Sequence, residues 1–159
     1  MRKLLLIDTR EKPKAITDIV KAIDEAGIPH TSTKLLFGDY MDYNRPGLVI
    51  DRKQTIAELA KNVTGDKEER ARFRAELERA KAAGARLVIL VEQNKYKDRD
   101  RWVSVRDVSD LMLWTGPYTK IRGEKVFRVL SDLIYRYDIE VVFCNRKQTG
   151  KKILEIIYG

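Results

Sequence analysis

Short apolar runs separated by amphipathic stretches set the layout of this chain. Leu4, Leu5, Leu6 and Ile7 end in Asp8 and predict a buried strand over residues 3–8. Pro13 then opens a helical pattern in which Ile16, Ile19, Val20 and Ile23 share a face, and Gly27 closes it. The Thr-rich stretch PHTSTKLL, residues 29–36, predicts a second strand, and GLVID after Pro46-Gly47 a third. These two are expected to pair as a hairpin with a long polar tip. A helix follows from about residue 56 to about 83, interrupted near Thr64-Gly65-Asp66, with Phe73, Leu77 and Ala80 in line. Gly84 stops it, and RLVILVE reads as a buried strand. After the charged loop NKYKDRDRW come helical patterns at 105–114 and 124–137, a strand IEVVFC and a last helix TGKKILEIIY.

Strands alternating with helices, and near-continuous apolar runs at 87–91 and 141–143, imply an α/β fold with a mixed sheet covered on both faces. The expected order is β-α-β-β-α-β-α-α-β-α. A chain of 159 residues without linker or low-complexity segment reads as one domain, 1–159. The single Cys144 leaves no intramolecular disulfide and suits a reducing, intracellular setting. The opening apolar run is too short for a secretory signal, and no run approaches a membrane span. Thirty-two Lys and Arg against 24 acids, a net charge of +8, favour a polyanionic partner, nucleic acid first.

Within this basic chain three acids crowd the stretch FGDYMDYNRPGLVIDRKQT: Asp39, Asp42 and Asp51. Asp51 and Lys53 are two apart, so both side chains leave a strand end on one face. Asp39 sits on the facing arm of the expected hairpin. Two carboxylates about 4 Å apart repel by roughly 4 kcal/mol at an effective dielectric near 20. A hard divalent ion such as Mg²⁺, or Mn²⁺ in its place, removes that penalty and can activate water at a phosphodiester. The plainer alternative is local: Gly38-Asp39 as turn chemistry, Asp51 as a helix cap. Asp42 reads as a turn residue. A second copy of Arg-Lys-Gln-Thr follows the last strand, with Asn145 where the first copy has Asp51. Only the first offers a carboxylate.

Asp8, Arg10 and Glu11, in IDTRE, add charge at a neighbouring strand tip. With Asp8-Thr9-Arg10-Glu11, Gly38-Asp39-Tyr40 and Asp51-Arg52-Lys53 in this order, the chain resembles the nuclease domain of the XPF-type structure-specific endonucleases, within the PD-(D/E)xK superfamily. It is similar to short stand-alone versions of that domain, some carried in viral genomes. The resemblance rests on motifs over residues 3–92 and on element order beyond. It implies a restriction-endonuclease-like fold and metal-dependent cleavage of branched or flapped DNA, resolvase-like in kind. It further implies Asp39, Asp51 and the Arg52 carbonyl as metal ligands, Lys53 beside them, and Asp8, Arg10 and Glu11 lining the same pocket. Three departures stand out. Asp51 replaces the family's Glu; Ala57 stands where the family has a further Asp, with Glu58 one place later; and no helix-hairpin-helix segment follows.

The expected DNA contacts are Tyr40 and Arg52 beside the pocket, Lys95 and Lys97 in the charged loop, and Lys120 and Arg122 in TKIRGEK ahead of a helix. Lys95, Lys97, Arg99 and Arg101 interleave with Tyr96 and Trp102, whose rings either stack on unpaired bases or anchor the loop in the core. Glu76 reads as part of a solvated helix face, and His30 has no partner motif. Two alternatives to a branched-DNA endonuclease stay open: a DNA-binding module that has lost cleavage, and an enzyme cutting plain duplex at a sequence. A homodimer presenting two sites, without a small-molecule cofactor, is the expected assembly.

Overall fold

The computed structural model describes residues 2–116 and 120–159. Its chain order is β1 (Leu5–Asp8), α1 (Thr17–Glu25), β2 (His30–Thr33), β3 (Tyr40–Asp42), β4 (Arg45–Lys53), α2 (Ile56–Thr64), α3 (Lys67–Ala82) and β5 (Arg86–Val91). The hairpin strands β6 (Lys95–Asp98) and β7 (Arg101–Ser104) follow, then α4 (Gly123–Tyr137), β8 (Glu140–Phe143) and α5 (Thr149–Tyr158). Six strands form one sheet in the order β2-β1-β3-β4-β5-β8. β3 runs antiparallel to both β1 and β4, while β1/β2, β4/β5 and β5/β8 are parallel. The carboxyl ends of β1, β4, β5 and β8 and the amino end of β3 therefore share one edge. That edge carries every strand-tip acid named above except Asp42.

Period-two alternation divides the core into two layers. Val49, Leu87, Ile89 and Val91 face α2, α3 and α4, where Leu59, Phe73, Leu77, Val126 and Leu130 complete one cluster. Their neighbours Ile50, Val88 and Leu90 face the other way, onto Ile19 and Ile23 of α1 and Ile153 and Ile157 of α5. A sheet covered on both faces explains the unbroken apolar run in β5.

The mixed sheet flanked by helices is the architecture expected from the sequence, and the helix break falls at Gly65, between α2 and α3. Asp66 caps α3 by accepting the Glu69 N–H at 2.8 Å. Three expectations are corrected. Residues 30–33 do not pair with β4; they lie parallel to β1 at the sheet edge, and β4 pairs with the three-residue β3, Tyr40 opposite Ile50. HTST has no apolar face to hold a central position, whereas Tyr40 is fully buried. NKYKDRDRW is a β-hairpin rather than a loop, its tip turned by Arg99 at φ 58°. The pattern over 105–114 makes only a 3-10 turn at Val108–Leu111, started by Asp107 and Asp110 as a capping box.

Candidate active site

Gly38 sets the site's geometry. It has φ +73°, and a Cβ there would collide with Val49 Cγ1 and approach the Ile50 carbonyl oxygen to 3.1 Å. Only glycine lets the chain lie this close to β4. The Asp39 N–H then donates to the Ile50 carbonyl at 2.7 Å, and the Asp8 N–H donates to the Asp39 carbonyl at 2.8 Å. Asp39 is thereby wedged between β1 and β4, and its Oδ2 accepts the Arg52 N–H at 2.8 Å. Within a strand the N–H and C=O of one residue leave on the same side, so the Arg52 carbonyl also faces Asp39.

A polar cleft of about 270 Å³ opens over this point, lined by Arg10, Glu11, Asp39, Asp51, Arg52, Lys53, Gln54, Glu58 and Glu76. The Asp39 and Asp51 carboxyls are within hydrogen-bonding reach of each other, as are those of Asp51 and Glu76. Burial, reinforced by the Asp51 and Glu11 charges, pushes Asp39 up to about 9. Burial and the Asp51 charge push Glu76 up to about 8. Asp51 is 5% exposed. Lys53 Nζ stands 3.2 Å from Asp51 Oδ2, yet this contact lacks hydrogen-bond geometry, and that buried oxygen has no hydrogen-bond partner. Burial lowers the Lys53 pKa, but the Asp51 and Glu76 charges outweigh it and hold the ammonium above its ordinary value. Lys53 Nζ also lies 5.5 Å from the Phe73 ring centroid.

Buried carboxyls crowded within reach of one another, among hard oxygen groups, fit a divalent cation. Asp39, Asp51 and the Arg52 carbonyl are the groups that would hold it. Among the described residues no three acidic, His or Cys side chains form a ready-made ligand cluster.

The remaining predicted residues divide. Asp8 does not line the cleft. It is fully buried behind it and accepts the Leu35 N–H at 2.8 Å, the Arg10 N–H at 3.1 Å and Arg10 Nε at 2.5 Å. Burial pushes the Asp8 carboxyl up, but these donors outweigh it and leave its pKa lowered. Asp8 therefore positions Arg10, whose exposed guanidinium forms the cleft wall. Tyr40 and Arg52 are corrected as DNA contacts. The Tyr40 ring has no exposed surface and its hydroxyl donates to Glu11 at 3.3 Å. The Arg52 guanidinium is clamped between Glu11 Oε2, at 2.7 Å, and Glu92 Oε1. Glu92 in turn accepts the Thr149 hydroxyl at 2.6 Å. Glu58 accepts the Gln54 N–H at 2.8 Å while Thr55 caps α2 through the Glu58 N–H.

Lys95 and Lys97 stand outward on β6, and Lys120 and Arg122 are exposed ahead of α4; none of the four lines the cleft. Thr119 of TKIRGEK lies outside the described residues. Asn145 caps the 3-10 turn after β8 through the Lys147 N–H, whereas Asp51 sits inside β4, so the two RKQT copies have different jobs. Asp42 holds the far end of the sheet, accepting from Leu4 N–H, Asn44 N–H and the Tyr158 hydroxyl.

Sequence reasoning undervalued two residues. Glu76 reaches the cleft from α3 and accepts the Gly38 N–H at 3.3 Å; its place beside buried Phe73 and Leu77 was a usable signal. Glu92 follows the apolar β5 directly, and in a parallel sheet that position lies beside the end of β4.

A mixed sheet with acids and a lysine gathered at its carboxyl edge defines an α/β protein of the restriction-endonuclease-like kind. The sequence profile of the ERCC4 domain matches residues 7–156, and the chain belongs to that family. Among solved structures, XPF from Aeropyrum pernix superposes with a TM-score of 0.65 at 17% identity, over 96% of this chain and 62% of that one. XPF from Aeropyrum pernix in complex with DNA gives 0.65 and 17%, over 98% and 63%. The chain thus spans less than two thirds of those proteins, and the likeness concerns the fold. No curated protein matches it. No helix among the described residues is long and apolar enough to cross a membrane.

Proposed function

We propose that the chain is a divalent-metal-dependent DNA endonuclease acting on branched or flapped duplexes. The observation that carries this reading is the meeting of Asp39, Asp51 and Lys53 in one cleft, where the Lys53 ammonium stands 3.2 Å from the buried Asp51 Oδ2. Bound Mg²⁺, or Mn²⁺ in its place, would supply Lewis acidity at the phosphodiester and lower the pKa of a water. Asp39 and Asp51 would hold the ion as carboxylates, Asp39 giving up as the ion enters the proton that burial favours in its absence. Lys53, kept cationic by Asp51 and Glu76, stabilises charge developing on the phosphoryl oxygens. Arg10, fixed by Asp8, orients a neighbouring phosphate from the cleft wall. A net charge of +8 draws the polyanion to a site that is itself acidic.

One assay tests this. Linear duplex, 5′ or 3′ flap and four-way junction are each incubated with Mg²⁺ or EDTA, alongside Asp51→Asn and Lys53→Ala. Metal-dependent cutting of the branched substrates, lost in both variants, is expected. Binding without cutting would make the chain a DNA-binding module, and cutting of plain duplex at one sequence a restriction-like enzyme. A two-fold homodimer would present two clefts to a junction; light scattering in solution decides that part.

A further inference from the structure

The β6–β7 hairpin presents its two faces differently. Tyr96 and Val103 are partners in register and face inward, and the Tyr96 hydroxyl donates to the Asp110 carbonyl at 2.9 Å, fastening the hairpin to the 3-10 turn. On the outward face Lys97 is opposite Trp102 and Lys95 opposite Ser104. Trp102 is 60% exposed, whereas the chain's other tryptophan, Trp114, is 4% exposed. Lys95 and Lys97 hold their ammonium groups 4.8 and 5.2 Å from the Trp102 ring centroid. A large ring left in water on a rigid support, bracketed by two cations, has no role in the core.

At the hairpin's root lies a groove of about 430 Å³, lined by Asn94, Lys95, Ser104, Val105, Arg106 and Asn145. Asn94 and Asn145 follow the ends of β5 and β8, and β5 is the direct neighbour of β4, which ends at Lys53. Groove and cleft therefore share the sheet's carboxyl edge, within about 10 Å at the usual strand spacing.

We propose that this hairpin reads unpaired nucleotides: a base stacks on Trp102 while the phosphates beside it pass Lys95, Lys97 and Arg106 toward the cleft. The proposal deepens the nuclease reading and rests on it. Stacking needs an open base face, which a continuous duplex does not offer and a flap or junction arm does. Cation–π attraction at an exposed ring is weaker than base stacking, so an incoming base displaces the ammonium groups, which then pair with its phosphates. Discrimination for branched DNA thus resides in one aromatic face and not in base-edge contacts.

The test is run in EDTA, where cleavage plays no part. The full chain is titrated with a dT oligomer and with blunt duplex, reading tryptophan fluorescence. Quenching by the oligomer and not by duplex is expected, since only Trp102 is accessible. Trp102→Ala weakens oligomer binding by about 5- to 150-fold and Trp102→Phe by far less. Lys95→Gln with Lys97→Gln weakens both ligands and flattens the salt dependence. No quenching, or a Trp102→Ala variant that binds the oligomer as tightly as the parent, overturns the proposal. So does a Trp102→Ala variant whose only change is a lower molar mass in solution, which makes the ring a contact between copies. Oligomer quenching without Mg²⁺-dependent cutting of any substrate would instead sink the nuclease reading and leave stacking in place.

Discussion

Removing the Arg52 side chain separates a buried structural cation from a DNA contact. Its side chain is 7% exposed and its guanidinium lies between the carboxylates of Glu11 and Glu92, whose side chains are 6% and 5% exposed. Arg52→Ala leaves both acids without their cation in a low-dielectric setting. Breaking a buried pair from one side costs about 3–5 kcal/mol, against a total stability of about 5–15 kcal/mol for a domain. Urea unfolding followed by circular dichroism, in EDTA, should show a loss in that range. Neutralising the stranded acids in Arg52→Ala/Glu11→Gln/Glu92→Gln should restore most of it, because an amide is far less costly to bury than an unpaired charge. A residue serving only to touch DNA from the surface would shift stability by no more than about 0.5 kcal/mol. A loss below about 1 kcal/mol, or a triple variant less stable than the single one, would refute the buried role of Arg52.

Three further outcomes are expected. Gly38→Ala puts a Cβ into Val49 at a positive φ, so it should cost about 1–3 kcal/mol and weaken Mn²⁺ binding measured by calorimetry. Asp42→Asn, at the far end of the sheet, should lower the thermal midpoint through Tyr158, Leu4 and Asn44 while leaving any DNA cleavage rate unchanged. Asp39 and Glu76 are raised from 3.8 to about 9 and from 4.5 to about 8, so the folded state holds protons that the unfolded chain releases. Metal-free protein should therefore be most stable with respect to these groups below about pH 4, lose stability steadily as pH rises from there, and level off above about 8 and 9. Saturating Mg²⁺ should flatten that decline in melting curves; an unchanged slope would count against both acids.

Legibility in the sequence followed the strength of each local signal. β5 and α3 were readable because unbroken apolar runs and helical spacing survive any tertiary context. Asp51 and Lys53 were readable because strand periodicity places them on one face, and Asp39 because Gly38-Asp39-Tyr40 stands between the two other motifs; the cleft does collect all three. β3 was not readable. Three residues carry too little pattern, and Tyr40 owes its place to pairing with Ile50, a contact between distant parts of the chain. Arg52 and Asp8 were misjudged for a related reason. Charge at a strand tip suggests solvent, and only the packing of Glu92 and Leu35 against them encloses it. Trp102 and Tyr96 show the reverse. Alternation across a hairpin decides which ring is inside, and no hairpin was apparent in so charged a stretch.

The most direct measurement is an anomalous difference map from crystals soaked in manganese. A peak is expected in the cleft, coordinated by Asp39 and Asp51 and absent in Asp51→Asn crystals. A cleft without a peak in the parent protein, or a manganese ion bound away from both aspartates, would contradict the proposed metal site.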